Sequence, residues 1–445
     1  MTTKAKITPM LQQYMEIKSQ NEDALLFYRM GDFYEMFFDD AEVAAKILGI
    51  TLTSRSNKNS DTKIPMCGVP HHAASSYLAK LVEAGHRVAV CEQVEDPRQV
   101  KGGQIVRREV VRVVTPGVTT EEQLLDDKSN RYLGAVFHAA GRAEDLFGAS
   151  YLDISTGEFL VSEHGSPAAL LDELARLAPA ELLLPEPGEK EAGAALAEIR
   201  ETLGDICFTL RPGHTFHLET ARECLLEHFQ TLNLAGFGCE HMRAGIAAAG
   251  ALLQYVAETQ KTACSHIEKL VPVVLDNVLI VDEPSRRNLE LSRTIVDGSR
   301  KGSLLDALDY TVTPMGARLL TRRLLAPLRD VRQIRARLET VEQLYADSGL
   351  RQDLRELLEQ VYDLERLNSR VVLGSANPRD LLAIRNSLAT LPAIKKCLAP
   401  VPPGGLLQTI GTGLDELREI RTLLDSSIRD DAPLTVREGK MIRDG

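Results

Sequence analysis

The stretch FYRMGDFYEMFFDDA, residues 27–41, carries the clearest structural pattern in the first part of the chain. The chain has 11 Phe, 10 Tyr and no Trp, yet six of these aromatic residues fall within twelve positions: Phe27, Tyr28, Phe33, Tyr34, Phe37 and Phe38. Aromatic residues at this density are typical of neighbouring β-strands, and Gly31 supplies a turn or bend between them. The pattern therefore predicts extended backbone over residues 25–38.

Glu35 does not suit a strand that is only core. If residues 32–38 are extended, Phe33, Glu35 and Phe37 project from one side, because strand side chains alternate with period two. A carboxylate between two phenylalanines makes a poor core but suits a recognition edge. A ring can wedge between bases, and a carboxylate can accept a hydrogen bond from a base edge. Two consecutive core strands remain the alternative.

Charge is distributed unevenly along the chain. The formal net charge is −11, but residues 1–115 carry 15 Lys and Arg against 14 Asp and Glu, so the rest of the chain carries the acidic excess. Between positions 98 and 112 only Glu109 is acidic, against five basic residues: Arg98, Lys101, Arg107, Arg108 and Arg112. Such a local basic strip on an acidic body can hold DNA phosphates, although a solvated sheet edge is the better interpretation of this strip taken alone.

The order of predicted elements divides the chain into several domains, as its 445 residues require. Residues 1–115 mix helices and strands and predict an α+β domain that begins with a helix capped by Thr8 and Pro9. A polar linker follows over 116–130. Residues 131–265 show strands and then alternating strands and helices, which predicts an α/β domain. Residues 266–445 are predicted to be all-α.

The helical part carries regular start signals. Thr313-Pro314 and Asn377-Pro378 each place a capping side chain before a proline at the first helical position. An apolar stripe runs along the second of these helices, and basic side chains fall near the opposite face of the first: Leu381, Ile384, Leu388 and Leu391, and then Arg318, Arg322 and Arg323. We expect a bundle of amphipathic helices without chemistry of its own.

Composition excludes a membrane-spanning or secreted protein of the usual kinds. The longest apolar run, residues 244–253, is about half the length of a membrane-spanning helix. The N-terminal residues are polar, so no secretory signal is predicted. Seven cysteines without a CxxC pair fit a reduced chain better than a disulfide framework. We therefore expect a cytoplasmic protein that makes no membrane contact.

Further motifs stand in a fixed order along the chain. After residues 27–41 come IPMCGVPHHAASSYLAKLVEAG, VAVCEQVEDP, VVRVVTPGV, LDISTGEF, LLQYVAETQ, RRNLEL, TVTPMGARLLTRRLLAPLRD and DLERL. This series resembles the MutS family of bacterial DNA mismatch repair proteins over the length of the chain. The resemblance implies a mismatch-binding domain, a connector domain of ribonuclease-H-like fold, and the first part of a helical lever. It also implies mispaired double-stranded DNA and MutL as partners, a family homodimer, and a nucleoid-associated location.

The resemblance also implies site residues. Phe33 matches the ring that stacks on a mispaired base, and Glu35 the carboxylate that hydrogen-bonds to that base. Arg55 and Arg108 match positions that contact the DNA backbone, and Asp32 lies beside the wedge. Electrostatics alone adds a further set of candidate backbone contacts: Lys58, Lys63, His72, Arg107 and Arg112.

The chain departs from the family in one respect. The family's ATPase needs a phosphate-binding loop GxxxxGK followed by Ser or Thr, and none occurs. At the nearest candidate, Gly439-Lys440, the next residue is Met441 and position 434 is Leu rather than Gly. We therefore expect no enzymatic activity, no cofactor and no metal in this chain, which resembles a family protein without its clamp and ATPase domain. ATP and magnesium belong to the full-length family.

Two other functions compete with DNA recognition. Asp153 and Glu158 could contribute to metal-dependent phosphoryl chemistry in the connector, although such chemistry needs several convergent carboxylates. A metal site built from Cys67, Cys91 and the neighbouring histidines, His71 and His72, lacks the usual paired spacing. Alternatively, the chain is an architectural relay that contacts MutL and the ATPase domain and binds no mismatch itself.

Overall fold

The computed structural model describes residues 8–57, 60–95, 105–140, 145–186, 199–203, 206–274 and 277–443. Two six-stranded mixed sheets follow one another along the chain, and a helical region follows them. This order of elements agrees with the predicted succession of an α+β part, an α/β part and an all-α part.

The first sheet has the strand order β3-β4-β2-β1-β5-β6. Neighbouring strands are antiparallel except β1 and β5, which are parallel. The strands are β1 (Ala24–Met30), β2 (Phe33–Phe37), β3 (Thr53–Asn57), β4 (Ser60–Pro70), β5 (Arg87–Gln93) and β6 (Arg108–Val114). The aromatic stretch therefore forms the hairpin of the two central strands, β1 and β2, in which Met30 pairs with Phe33 across the turn Gly31-Asp32.

Helices cover both faces of this sheet, which is why residues 24–28 of β1 form a continuous buried apolar run. The helix α1 (Pro9–Ser19) packs Leu11 and Tyr14 against one face, and α2 (Phe38–Leu48) and α3 (Ala74–Glu83) pack against the other. Thr8 caps α1 as predicted. The extended segment ends one residue earlier than predicted, because Phe38 is already the first residue of α2.

The second sheet has the order β11-β10-β7-β8-β9-β12. Its first three strands along the chain are antiparallel neighbours, β10 is parallel to β7, and β11 is parallel to β10. The strands are β7 (Leu133–Ala139), β8 (Leu146–Asp153), β9 (Glu158–His164), β10 (Glu181–Pro185), β11 (Cys207–Arg211) and β12 (Val271–Pro272). The short β12 pairs in parallel with β9, so this sheet extends past residue 265.

Helices also cover both faces of the second sheet. The helix α4 (Pro167–Leu177) packs on one face, and α5 (Leu218–Phe229) and α6 (Arg243–Gln260) pack on the other. The apolar run 244–253 lies in α6, which approaches β8 so closely that a Cβ on Gly148 would lie 2.0 Å from the Ala244 carbonyl carbon. Within the described ranges, no helix is long and apolar enough to cross a membrane.

The helical region spans residues 283–443. Its helices are α7 (Glu283–Asn288), α8 (Leu304–Leu308), α9 (Pro314–Leu325), α10 (Val331–Ala346), α11 (Ser348–Leu358), α12 (Leu364–Val372), α13 (Pro378–Leu398), α14 (Leu406–Gly413) and α15 (Arg418–Ser427). The predicted caps are confirmed, since the side chains of Thr313 and Asn377 accept hydrogen bonds from backbone N–H groups in the first turns of α9 and α13. The predicted stripe on α13 packs Leu388 and Leu391 into the core of this region.

Arg318 lies in a different environment from the one predicted. It was expected near the outer face of an amphipathic helix, but its side chain is 4% exposed. Its two terminal nitrogens lie 2.7 Å from the two oxygens of Asp363, and Nη2 also donates to Glu365. Arg318 and Arg366 both donate to backbone carbonyls of the segment 116–130, those of Asp127 and Ser129 among them. These buried arginines therefore join that segment to the helical region.

Candidate nucleic-acid interface

Phe33 is the exposed aromatic residue at the tip of the first sheet. It is the first residue of β2, directly after the turn Gly31-Asp32, and its strand neighbours are Met30 and Pro70. Gly31 has a φ of +59°, a conformation that glycine adopts without strain. The Phe33 side chain is 48% exposed, whereas the next residue, Tyr34, points to the opposite face and is buried. A large apolar ring is thus presented to solvent at the end of a rigid hairpin.

Glu35 lies on the same face as Phe33, two residues along β2. Its side chain is 19% exposed, and its Oε2 atom is 3.6 Å from Arg55 Nη1. That oxygen has no hydrogen-bond partner among the described residues. Burial raises the pKa of Glu35, and the nearby positive charges of Arg55 and Arg108 oppose the rise. The carboxylate accepts hydrogen bonds when ionised and donates one when protonated, so it can pair with either kind of base edge.

Gly68 leaves this face open. It pairs with Glu35 across β2 and β4, and a Cβ at this position would lie 3.7 Å from Glu35 Cγ and 3.9 Å from Phe33 Cδ1. Any larger side chain at position 68 would fill the space beside the ring and the carboxylate. No sequence pattern indicates Gly68, because its position opposite Glu35 depends on the register between two strands.

Phe37 belongs to the core rather than to the edge. The alternation prediction was right about direction, because Phe33, Glu35 and Phe37 occupy alternate positions of β2. Phe37 is nevertheless fully buried, and its ring meets that of Tyr14 at 5.0 Å. The helix α1 covers this end of the face and leaves the hairpin end open. The candidate recognition edge therefore consists of Phe33 and Glu35.

The two predicted backbone-contacting arginines differ in exposure. Arg55 lies on β3 with a half-exposed side chain beside Glu35. Arg108 is buried beneath the hairpin, where its Nε donates to the Arg29 carbonyl at 2.7 Å and its guanidinium lies 4.9 Å from the ring of Tyr28. Its remaining donors meet Gln13, Val106 and Met30. Arg55 is therefore available to a phosphate, whereas Arg108 is occupied in supporting β1.

The other predicted contacts are also divided. Asp32 is exposed at the turn and His72 is exposed in a short helical turn that begins at His71, whose N–H donates to the Asp32 carbonyl at 2.8 Å. Arg112 is instead paired with Glu121 at 2.5 Å, and its strand partner Val90 packs on the α2–α3 face. Lys63 is exposed on β4, and exposed Arg107 pairs with Glu109. Lys58, Arg98 and Lys101 lie outside the described residues.

The alternative metal sites do not assemble in the part of the chain that the structure describes. Asp153 is buried, and its oxygens accept hydrogen bonds from Asn130, the Arg131 N–H and Ser155. Glu158 accepts from Tyr132 and pairs with Arg322. Within the same described ranges, no group of three or more His, Cys, Asp or Glu side chains is arranged to hold a metal ion. These carboxylates hold together the second sheet and its contact with α9.

Comparison with known proteins matches three successive regions of the chain to domains of one family. The model of MutS domain I matches residues 8–123, that of MutS domain II matches 131–268, and that of MutS domain III matches 284–444. The chain belongs to the MutS family, of which it carries these three domains.

Curated relatives agree with this assignment. The chain is 46% identical over 441 residues to the DNA mismatch repair protein MutS of Desulfatibacillum aliphaticivorans. The matched region covers 99% of the chain and 48% of the relative. It is 47% identical over 457 residues to that of Desulforapulum autotrophicum, covering 100% of the chain and 50% of the relative. The chain thus spans about half the length of the curated relatives that it matches.

Proposed function

We propose that this chain is the mismatch-recognition part of a DNA mismatch repair protein and binds mispaired or looped duplex DNA. One observation carries the proposal: a half-exposed phenylalanine at the tip of a hairpin stands beside a carboxylate with an unpartnered oxygen, on a face that Gly68 leaves open. An exposed ring suits insertion between bases, and a carboxylate oxygen that accepts no hydrogen bond within the protein suits a hydrogen bond to a base edge.

The proposed mechanism depends on the cost of deforming DNA. Phosphate contacts, among which we propose Arg55, hold the domain on the duplex without reading its sequence. Phe33 then tests a base step, which costs about a few kcal/mol to unstack and least where the pairing is already weak. Glu35 holds the displaced base. In an intact duplex its negative charge faces phosphates without gaining a base partner, so it opposes binding there.

The experiment that tests the proposal is a binding titration of the whole chain at low salt. A G·T heteroduplex is compared with its matched homoduplex for the parent, for Phe33→Ala and for Tyr345→Ala. Tyr345 is a matched control because it is another exposed aromatic residue, 82% exposed on α10 in the helical region. Low salt is needed because phosphate contacts release counterions and weaken as salt rises.

We expect the parent and Tyr345→Ala to prefer the heteroduplex. Phe33→Ala should lose about 1–3 kcal/mol of heteroduplex binding, the usual worth of a base–aromatic stack, and retain its homoduplex binding. Equal heteroduplex binding by Phe33→Ala and the parent would remove the wedge role from Phe33. Equal binding of both duplexes by the parent would mean that this chain does not recognise mismatches.

Three further proposals follow from membership of the MutS family. We propose that domain II has a ribonuclease-H-like fold, supported by its three antiparallel strands followed by two parallel ones. We propose that this chain is not an enzyme and takes no cofactor, and that ATP and magnesium bind to the part of the relatives beyond the matched region. MutL and a second MutS subunit are the proposed protein partners.

The relay function remains a second candidate because a specific contact favours it. The segment 116–130 is held between the sheets and the helical region by buried Arg318 and Arg366, and by the ion pair of Lys128 with Asp309 at 2.8 Å. Such a joint would transmit movement of the first domain. Binding of purified MutL without any preference for a heteroduplex would favour the relay over recognition.

A further inference from the structure

The hairpin that carries Phe33 is fastened at its turn from both sides. From the β1 side, Arg29 Nε donates to the Gly31 carbonyl at 2.5 Å. From the β4 side, the His71 N–H donates to the Asp32 carbonyl at 2.8 Å. Both carbonyls of the two-residue turn are therefore occupied, although the turn itself is exposed to solvent.

Arg29 is unusual for a charged residue in this position. It lies in β1 between Tyr28 and Met30, directly opposite Tyr34 in the strand pairing, and only 6% of it is exposed. Its guanidinium carbon lies 5.5 Å from the centre of the Tyr34 ring. A buried arginine is costly unless it is paired, so its environment must supply a negative charge.

Glu92 supplies that charge. Its Oε1 atom accepts a hydrogen bond from the Tyr34 hydroxyl and lies 3.8 Å from Arg29 Nη1 and 3.9 Å from His71 Nε2. The His71 ring also lies over Tyr34, with 5.5 Å between the ring centres. The Glu92 Oε1 atom on β5 thus lies close to Arg29 and His71, the two residues that bond to the turn. The same atom accepts the hydrogen bond of Tyr34, which follows Phe33 in the sequence.

We infer that Arg29 and Glu92 are positioning residues that hold the Phe33 ring ready for insertion and thereby set the preference for mispaired over intact DNA. The inference rests on the proposed function of Phe33. A ring that must unstack bases has to resist their restoring force, and ordering a loose turn during binding would subtract from the affinity. Binding to intact duplex does not involve insertion of the Phe33 ring, so it does not depend on Arg29 and Glu92.

The test is a double-mutant cycle between Arg29 and Phe33. Arg29→Lys keeps the charge but loses the donor to the turn, and it is measured alone and in the Phe33→Ala background. The matched control is Arg87→Lys, because Arg87 begins the same strand as Glu92 and also combines an ion pair with a ring contact, but lies at the end away from the hairpin. A 2-aminopurine beside a G·T mispair reports base unstacking directly. Thermal unfolding of each variant shows that it is folded.

We expect Arg29→Lys to lower the ratio of heteroduplex to homoduplex affinity about tenfold, the effect of losing one charge-assisted hydrogen bond. The 2-aminopurine signal should fall with it, homoduplex affinity should be unchanged, and Arg87→Lys should match the parent. In the Phe33→Ala background the same change should have no further effect. If Arg29→Lys does not fold, Glu92→Gln, which keeps the shape and removes the charge, should lower the ratio in the same way.

Two results would overturn the inference and leave the proposed function intact. One is an equal loss of affinity for both duplexes in Arg29→Lys. The other is an equally large drop in the affinity ratio when Arg29→Lys is made in the Phe33→Ala background. Arg29 would then act through something other than the Phe33 ring. A parent-like preference in Phe33→Ala alone would instead remove the wedge role proposed for Phe33, and the inference with it, whereas equal binding of both duplexes by the parent would overturn the proposed function itself.

Discussion

Arg318 provides the sharpest test of how the helical region is joined to the rest of the chain. The test variant is Arg318→Met, which keeps an unbranched apolar stem and removes the charged guanidinium. In the parent, the guanidinium makes two 2.7 Å hydrogen bonds to Asp363, one of 2.6 Å to Glu365 and one of 3.1 Å to the Asp127 carbonyl. The substitution therefore removes the partner of a carboxylate that remains in place.

The size of the effect depends on what is left unpaired. Breaking a buried ion pair by removing one partner typically costs about 3–5 kcal/mol. Here the side chain of Glu365 is 50% exposed and can be solvated again at little cost. Asp363, at 13% exposure, cannot, but Arg366 Nε remains 3.9 Å from it. We therefore expect a loss near the lower end, about 3 kcal/mol.

The assay is urea unfolding followed by helical circular dichroism, since the chain has no tryptophan for fluorescence. The matched control is Arg332→Met, because Arg332 is 95% exposed and lies 3.9 Å from Asp330 on the surface of the same region. We expect no measurable change in this control, and we expect the loss in Arg318→Met to persist in high salt, since buried pairs are poorly screened. Equal free energies of unfolding for Arg318→Met and Arg332→Met would show that the buried contacts of Arg318 do not stabilise the fold.

Two further predictions concern the recognition edge. Because burial raises the pKa of Glu35, the folded chain retains a proton that the unfolded chain has lost, so stability falls as pH rises from the ordinary pKa of 4.5 through the raised value. Glu35→Gln should remove this dependence. Its unfolding temperature should equal that of the parent at pH 4 and exceed that of the parent at pH 7. Equal unfolding temperatures of the two proteins at both pH values would contradict the raised pKa. Gly68→Val should cost about 1–3 kcal/mol of heteroduplex binding by crowding Phe33 and Glu35, with Gly68→Ala much milder because a lone Cβ meets only contacts of 3.4 Å or more. Unchanged heteroduplex binding by Gly68→Val would show that the face beside the ring is not used.

Much of the local structure follows from the sequence alone. The alternation of residues 33–37 places Phe33 and Glu35 on one face, and glycine after Met30 marks the turn. Thr8, Thr313 and Asn377 mark the starts of three helices because a capping side chain and a following proline act within a single turn. These features depend on neighbours a few residues apart, so a linear pattern contains them.

Burial and partnership were decided by contacts between distant segments. Phe37 has the same strand alternation as Phe33, but α1 covers the one and leaves the other exposed. Arg108 and Arg318 carry the same charge as the exposed Arg55, yet the carbonyls and carboxylates that surround them come from other elements. No sequence pattern indicates which arginines acquire such partners.

The candidate site shows the same division. The ring, the carboxylate and their common face follow from the sequence, because strand periodicity is a local property of the backbone. The tertiary structure was needed to show that Gly68 opens that face, that Arg29 and His71 bond to the turn, and that Glu92 lies near both of them. The physical reason is that packing and ion pairing depend on which segments meet in space, and the register between strands and helices sets those meetings.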